Sequence, residues 1–303
     1  MPRLSVLMPA FDAAPTIDRA VRSTLRDLPA DAELVVQDDG SSDGTLAALE
    51  RIDDPRLRVL TGPNRGVARA LNALLDASAS EFVARMDADD VVLPGRFRRQ
   101  LRALKTADAV FTTVASWHGA GVPRPPWPSG IGTASFPFHL LLTNPVAHST
   151  MAARRSAVEA VRGYRVVPSE DYDLWLRLAS SGARLRRLAA PSLLYRVHPG
   201  QVTSAEGWRL RSWNDERTQA AFAELSARVL GAPLPRLTAL AVAPLPAEEK
   251  AACLDEFERR FRCAASRLRP ADRAAVLRRL ARRAAWCRER IRAAADERAE
   301  AAS

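Results

Sequence analysis

The chain has 303 residues, of which 47% are hydrophobic and 26% charged, and its formal net charge is +10. This composition excludes the intrinsically disordered class, and the length predicts one large domain with a substantial core plus an appended region. No apolar run approaches the roughly 18 to 20 residues of a membrane-spanning helix, and the first residues lack the pattern of a secretory signal. We therefore expect a cytoplasmic protein, soluble or peripheral at the inner face of the membrane.

Charge is distributed unevenly along the chain. Residues 1–50 contain 4 Lys and Arg against 9 Asp and Glu, whereas residues 251–303 contain 14 against 8. The basic excess suggests nucleic acid, anionic lipid or a phosphorylated substrate as partner, and charge alone does not choose among them. Cys253, Cys263 and Cys287 lack the spacing of a zinc site or a CxxC motif, so we expect reduced thiols.

The first hundred residues alternate short apolar runs with helical periodicity, which is typical of an α/β fold whose parallel sheet is flanked by helices. The predicted strands are 4–9, 33–37, 56–60 and 81–86. The first predicted helix runs from Pro15 to about residue 28, the second from after Gly44 to about residue 52, and the third from Gly66 to about residue 75. Ligands bind at the carboxyl ends of such strands, so the acids that follow them are expected to converge on one crevice. These acids are Asp12, Asp38, Asp39 and Asp87, Asp89 and Asp90.

The following hundred residues contain shorter predicted elements. We predict strands at 109–114 and 193–197, a strand-like stretch at 147–152, short helices at 136–142 and 155–161, and a helix starting at Ser169. Residues 117–132 are rich in Pro and Gly and are predicted to form a loop over the cleft. From about Ser204 the pattern is helical and is interrupted by a Pro-rich stretch at 233–246.

The triplet Asp87-Ala88-Asp89 directly follows a predicted strand. Two carboxylates on one turn provide the oxygen ligands that Mg²⁺ or Mn²⁺ prefers, and the bound cation could bridge to a diphosphate. Surface turns often contain such triplets without a metal. The position of this one, at the end of a strand and among other acids, makes it a candidate metal site.

Six short motifs occur in order along the chain: 5–12 (SVLMPAFD), 38–45 (DDGSSDGT), 64–66 (NRG), 87–90 (DADD), 170–171 (ED) and 195–199 (YRVHP). In order and spacing they resemble the motifs of the family 2 glycosyltransferases, and the resemblance covers about residues 3–204. The resemblance implies a GT-A fold, which is Rossmann-like with a mostly parallel sheet. It also implies a catalytic domain at 1–204, with a nucleotide-sugar half at about 1–115 and an acceptor half at about 116–204. Residues 205–303 would form a basic helical C-terminal region.

The resemblance implies a donor site for a nucleotide sugar, with UDP as the family's commonest nucleotide. Asp39 would accept a hydrogen bond from the base, Asp89 would ligate Mn²⁺ or Mg²⁺, and His198 would complete the metal or diphosphate site. His198 in a loop could also be merely exposed to solvent. The remaining residues implied to bind nucleotide are Pro9, Phe11, Asp12, Asn64, Gly66, Asp87 and Ala88. The family more often has Tyr and Asn at positions 11 and 12, so one hydroxyl contact to the nucleoside is missing here.

The resemblance further implies an inverting, hexosyltransferase-like reaction in which Asp171 is the general base. The acids of this segment would alternatively complement the helix dipole, and Glu170, Asp171 and Asp173 cannot all face the cleft. Glu170 and His148 are assigned to the acceptor side, where His148 could instead be structural. Arg154 and Arg155 resemble a basic pair that borders the acceptor. Trp175 is predicted to lie in the core.

The implied acceptor is a glycan or a lipid-linked sugar of a cell envelope polysaccharide. The Arg-rich stretch 259–292 is interpreted as a solvated helix face, and contact with an anionic membrane is the alternative.

A sugar nucleotidyltransferase would need a Gly-rich loop after the first strand, where this chain has PAFDAAP. A nucleic-acid-binding protein would be expected to show a recognised motif, and none is found, so nucleic acid is not a predicted partner.

Overall fold

A computed structural model describes residues 1–118, 123–124, 129–198 and 207–302, with side chains up to residue 294. The chain divides into two compact units. The first unit comprises Met1–Ile131, Val146–Val166 and Ala183–Ser204, and the second comprises Gly132–Pro145, Val167–Gly182 and Ala205–Ser303. The second unit therefore contains two segments from the middle of the chain as well as the C-terminal region.

The regular elements of the described residues are numbered in chain order. The strands are β1 Leu4–Ala10, β2 Ala32–Asp38, β3 Leu57–Thr61, β4 Phe82–Arg85, β5 Val91–Val92, β6 Ala109–Trp117, β7 Ala152–Arg154 and β8 Leu185–Arg196. The helices are α1 Ile17–Asp27, α2 Thr45–Glu50, α3 Val67–Asp76, α4 Arg96–Ala103, α5 Phe136–Leu140, α6 Arg155–Ala160, α7 Glu170–Ser180, α8 Trp208–Asn214, α9 Glu216–Leu230, α10 Leu237–Val242, α11 Ala247–Ala265 and α12 Pro270–Ala302.

The first unit contains one sheet in which all eight strands pair, in the order β3-β2-β1-β4-β7-β6-β8-β5. The pairs β1–β2, β1–β4, β2–β3 and β6–β8 are parallel, and the other three are antiparallel. Strands β1 and β2 are almost fully buried, which explains their continuous apolar runs. The apolar stripe of α1, including Ile17, Val21 and Leu25, belongs to the same core. The predicted mostly parallel α/β sheet is confirmed.

The predicted elements between residues 86 and 198 were partly wrong. Residues 147–152 were expected to be strand-like, but a 3₁₀ turn at His148–Thr150 precedes β7. Strand β8 begins eight residues earlier than predicted, because pairing with β6 holds charged residues that break the apolar pattern. Strand β5 and helix α4 were missed, since β5 has two residues and α4 contains four arginines among its eight residues.

The loop predicted at 117–132 falls partly outside the described residues, which omit 119–122 and 125–128. Its described part forms isolated bridges from Ser116 to Arg124 and from Ile131 to Arg187. These bridges attach the middle of the segment to β6 and its end to β8.

The second unit is helical and contains α5 and α7 to α12. The predicted helical C-terminal region is therefore confirmed. Helix α7 starts after Ser169 as predicted, but the Ser169 hydroxyl bonds to that of Ser212 at 2.5 Å and does not cap the helix. Trp175 is fully buried, as the core interpretation required. Among the described residues, no helix combines the length and apolar character needed to cross a membrane.

Candidate active site

The loop after β1 is attached to the loop after β2. Asp12 has a positive φ of 45°, its N–H donates to Ser41 Oγ at 3.0 Å, and its carboxylate accepts from the Ser42 N–H at 2.8 Å. The Asp12 side chain therefore supports the backbone in this structure. Phe11 is 51% exposed, so its ring is free to stack on a planar ligand, and Pro9 is partly buried beside it.

Asp39 connects the next two predicted nucleotide motifs. Its carboxylate is 6% exposed and accepts hydrogen bonds from the N–H groups of Arg65 and Gly66 at 3.0 and 2.8 Å. The Gly66 N–H also donates to Asn64 Oδ1 at 3.2 Å. The structure thus brings Asp39, Asn64 and Gly66 together, and Asp39 fixes the loop that contains the other two.

Gly40 allows this close approach of two loops. Its φ is +79°, and a Cβ at this position would lie 2.8 Å from the backbone nitrogen of Asn64. We expect Gly40→Ala to lower the free energy of unfolding by about 1–3 kcal/mol, because backbone strain adds to a clash with backbone atoms. Chemical denaturation measures the change. Gly62→Ala is the matched control, since its Cβ would come no closer than 3.4 Å to the end of the Gln37 side chain, and an equal loss there would contradict the explanation.

An acidic turn follows β4. Asp87, Asp89 and Asp90 each present a carboxylate oxygen, and these oxygens lie within 4.8 Å of one another. Arg85 forms an ion pair with Asp87, and Asp90 accepts a hydrogen bond from the Arg196 N–H at 2.9 Å. His198 Nε2 lies 3.0 Å from Asp89 Oδ2. Ala88 is partly buried within the turn.

Crowding of these acids affects their protonation. Burial raises the pKa of Asp89, and the negative charge of Asp87 raises it further. Burial, together with the charges of Asp87 and Asp89, raises the pKa of Asp90 well above its ordinary value. Burial and the same three carboxylates raise the pKa of Tyr195 to about 12. A divalent cation would stabilise the ionised carboxylates, and the carboxylate oxygens are the ligands that suit Mn²⁺ or Mg²⁺. The residues present therefore fit the predicted metal.

The contact between Asp89 and His198 depends on strand pairing that the sequence did not reveal. Val91 and Val92 pair antiparallel with Leu194 and Leu193. This pairing places the end of β8 beside the acidic turn, although the two segments are about a hundred residues apart. Asp90 was expected in the crevice without an assigned role, and Tyr195 had appeared only within a motif.

Arg96 and Gln100 of α4 lie behind the acidic turn and were missed. Both are fully buried. Arg96 donates to the carbonyls of Arg85 and Ser149 at 2.6 Å each and to Gln100 Oε1 at 3.1 Å, and Gln100 donates to the Thr150 carbonyl at 2.7 Å. Burial lowers the pKa of Arg96 to about 9, which leaves it charged at neutral pH. In the sequence Arg96 is one of four arginines within the eight residues of α4, and nothing there distinguishes it from the other three.

Replacing Arg96 with methionine should destabilise the first unit. The carbonyls of Arg85 and Ser149 would lose buried donors, and we expect a loss of about 2–4 kcal/mol in the free energy of unfolding. Arg98 is exposed on the same helix, so Arg98→Met should change it by less than about 0.5 kcal/mol. Denaturant titration of both variants tests the difference, and equal stabilities would refute the assigned role of Arg96.

Three residues predicted on the acceptor side have protein partners in the first unit. His148 Nε2 lies 3.0 Å from the hydroxyl of buried Tyr164. Arg155 donates to the carbonyls of Ser80 and Leu75, and Arg154 donates to the carbonyl of Leu104. These contacts give all three side chains a structural role.

Asp171 and Glu170 begin α7 in the second unit. Asn144 Nδ2 donates to Asp171 Oδ2 at 2.7 Å. Asp173 is fully buried and forms an ion pair with Arg177 at 2.7 Å. Of the three acids in this segment, Asp173 is therefore engaged in the core, whereas Asp171 and Glu170 are partly exposed.

The sheet, the acids at the carboxyl ends of its strands and the carboxylate turn define the class, an enzyme with the GT-A fold. Solved structures agree on this fold. S. aureus TarS (residues 1–349 with UDP-GlcNAc) aligns with a TM-score of 0.62 at 17% identity over 98% of this chain and 92% of that chain. The mannosyltransferase PcManGT of Pyrobaculum calidifontis (with GDP-Man and Mn²⁺) aligns with a TM-score of 0.56 at 20% identity over 98% and 86%.

Residues 5–162 match the model of glycosyl transferase family 2, and the chain belongs to this family. The putative glycosyltransferase EpsE of Bacillus subtilis is 28% identical over 77% of this chain and 84% of its own length. The UDP-Glc:alpha-D-GlcNAc-diphosphoundecaprenol beta-1,3-glucosyltransferase WfaP of Escherichia coli is 26% identical over 67% and 81%. The aligned region spans about a fifth (19%) of the chondroitin and hyaluronan synthases of Pasteurella multocida. The predicted enzyme class is confirmed, and the nucleotidyltransferase alternative was wrong.

Proposed function

We propose that this protein is an inverting glycosyltransferase that moves a sugar from a UDP-sugar to an acceptor hydroxyl with the help of Mn²⁺ or Mg²⁺. The observation that carries the proposal is the convergence of Asp87, Asp89 and Asp90 with His198 at the end of β4. Three similar proteins support a nucleotide sugar as the donor class. TarS binds UDP-GlcNAc, PcManGT binds GDP-Man, and WfaP is a UDP-Glc glucosyltransferase.

The proposed donor roles are those that the family resemblance implies. Phe11 would stack on the base, and Asp39 would accept a hydrogen bond from the base while it holds the loop at Asn64 and Gly66. Asp87 would meet the ribose or the water shell of the metal. Pro9, Asp12 and Ala88 complete the nucleoside pocket. Asp89 and His198 would hold the metal, and a bound divalent cation would stabilise the negative charge of the departing diphosphate.

Transfer is proposed to occur by direct displacement. The acceptor oxygen bonds to C1 of the sugar as the bond from C1 to the diphosphate oxygen breaks, and Asp171 takes the acceptor proton. The electron pair of the broken bond leaves with the nucleoside diphosphate. Glu170 and His148 are proposed to border an acceptor that is a glycan or a lipid-linked sugar, in line with the WfaP acceptor. For a lipid-linked acceptor, the basic C-terminal helices would contact the anionic membrane surface.

Ligand-dependent melting tests the proposed donor site. We expect UDP-sugar and Mn²⁺ together to raise the Tm more than either alone, because a ligand that binds only the folded state stabilises it. EDTA should reverse the Mn²⁺ contribution. A parallel hydrolysis screen of UDP-, GDP- and dTDP-sugars without acceptor identifies the base. Hydrolysis of GDP-sugars alone would replace UDP in the proposal, and no response to any of the donors would reject it.

A further inference from the structure

Two hydrogen bonds orient the carboxylate of Asp171 within the second unit. Its Oδ1 accepts from the Tyr172 N–H at 2.6 Å, and its Oδ2 accepts from Asn144 Nδ2 at 2.7 Å. The first donor belongs to α7 itself. The second comes from a segment 27 residues earlier, so the orientation of Asp171 depends on where that segment is held.

The C-terminal helices hold the segment that leads to Asn144. Arg283 of α12 donates to the Leu142 carbonyl at 2.9 Å, and Arg279 lies 3.0 Å from His139 Nδ1. Earlier in the same segment, the hydroxyl of Ser135 donates to Asp272 of α12 at 3.1 Å. Phe138 packs edge-on against Phe261 of α11, with ring centroids 5.3 Å apart. Four residues of this segment are therefore fixed by α11 or α12.

Tyr172 connects the same segment to α7. Its hydroxyl donates to the Leu140 carbonyl at 2.6 Å, and its buried ring packs beneath Arg236, with the guanidinium carbon 4.7 Å from the ring centroid. Arg236 in turn donates to the Ser212 carbonyl at 2.9 Å. The residue that follows Asp171 is thus connected to both the early segment and the C-terminal region.

We propose that Asn144 is a positioning residue for Asp171, and that α12 keeps Asn144 in place through Arg283 and Arg279. The C-terminal helices are then a support for the base and not only an appended surface. This inference rests on the proposed function, in which Asp171 accepts the acceptor proton. A base is effective only when its oxygen is aimed at that proton. Partners that orient metal ligands contribute about 10- to 100-fold to activity, and we expect an effect of the same order for a partner that orients a base.

The test uses the full chain with point variants. Asn144→Ala should lower kcat for sugar transfer about 10- to 100-fold while the KM for the donor changes less than about twofold, because the contact acts on the base. Arg283→Met should lower kcat less strongly in the same way, and Arg283→Lys should restore part of it. Arg282→Met is the matched control, since Arg282 is exposed at the next position of α12, and it should behave as the wild type.

A double variant separates positioning from general damage. If Asn144 acts through Asp171, adding Asn144→Ala to Asp171→Asn should leave the residual transfer rate unchanged. An unchanged kcat in Asn144→Ala, or an equal further loss in the Asp171→Asn background, would overturn the proposal. Full transfer by Asp171→Asn alone would instead remove the base assignment, and this inference with it. Near-ultraviolet circular dichroism of each variant checks that it is folded.

Discussion

Asp171→Asn is expected to lower kcat for transfer by about 10²- to 10⁴-fold, the range attributed to a general base. Asparagine keeps the shape of the side chain. Its amide oxygen can still accept a hydrogen bond from Asn144 once the new side chain has turned, but it cannot take the proton of the attacking hydroxyl. Donor affinity, measured by calorimetry with UDP-sugar and Mn²⁺, should stay within a factor of about two, because the proposed donor contacts come from other residues.

Glu170→Gln is the matched comparison for this variant. It removes the neighbouring negative charge from the same first turn of α7, so any effect of the helix dipole should be similar in the two variants. We expect it to raise the KM for the acceptor and to leave most of kcat. Equal losses of kcat in both variants would favour the helix-dipole interpretation, and retained transfer in Asp171→Asn would exclude Asp171 as the base.

Asp89→Asn is expected to lower kcat by about 10²- to 10³-fold and to abolish the rise of Tm with Mn²⁺. The reason is that a charged metal ligand is lost where the leaving diphosphate would need compensation. Without metal, the variant should be at least as stable as the wild type, because it removes one of three crowded carboxylates, and burial with the charge of Asp87 raises the pKa of the Asp89 carboxylate that is lost. The measurements are kcat as a function of Mn²⁺ concentration and thermal melting.

The control for the metal site is Asp18→Asn. Asp18 is exposed on α1 and forms an i,i+4 pair with Arg22, so its loss removes the same charge at the surface. This variant should keep the wild-type dependence on Mn²⁺. If Asp89→Asn also kept it, Asp89 would not be the metal ligand, and the acidic turn would need a different role.

The strand ends of the first half of the chain could be predicted from the sequence. Buried parallel strands require continuous apolar runs, and their carboxyl ends lie at one edge of the sheet, so Asp39 and the 87–90 turn were expected at a common crevice. The structure confirms the α/β sheet and shows each of these acids at the end of its strand. The roles of Asp39, Asp89 and Asp171 in donor and acceptor chemistry were implied by the family resemblance and stay predictions.

The contacts around these acids were decided only by the tertiary structure. Asp89 meets His198 because β5 pairs with β8, Arg96 supports the acidic turn because α4 packs against β6, and Asn144 meets Asp171 within the second unit. The partners are 109 residues apart for Asp89 and His198 and 27 apart for Asn144 and Asp171, and Arg96 joins the nearby Arg85 carbonyl to the Ser149 carbonyl 53 residues later. Local periodicity determines which face of a strand or helix is apolar, but it carries no information about which distant segment will pack there. The sequence alone therefore determined the kinds of chemical group and the strands that present them, while packing determined which groups meet.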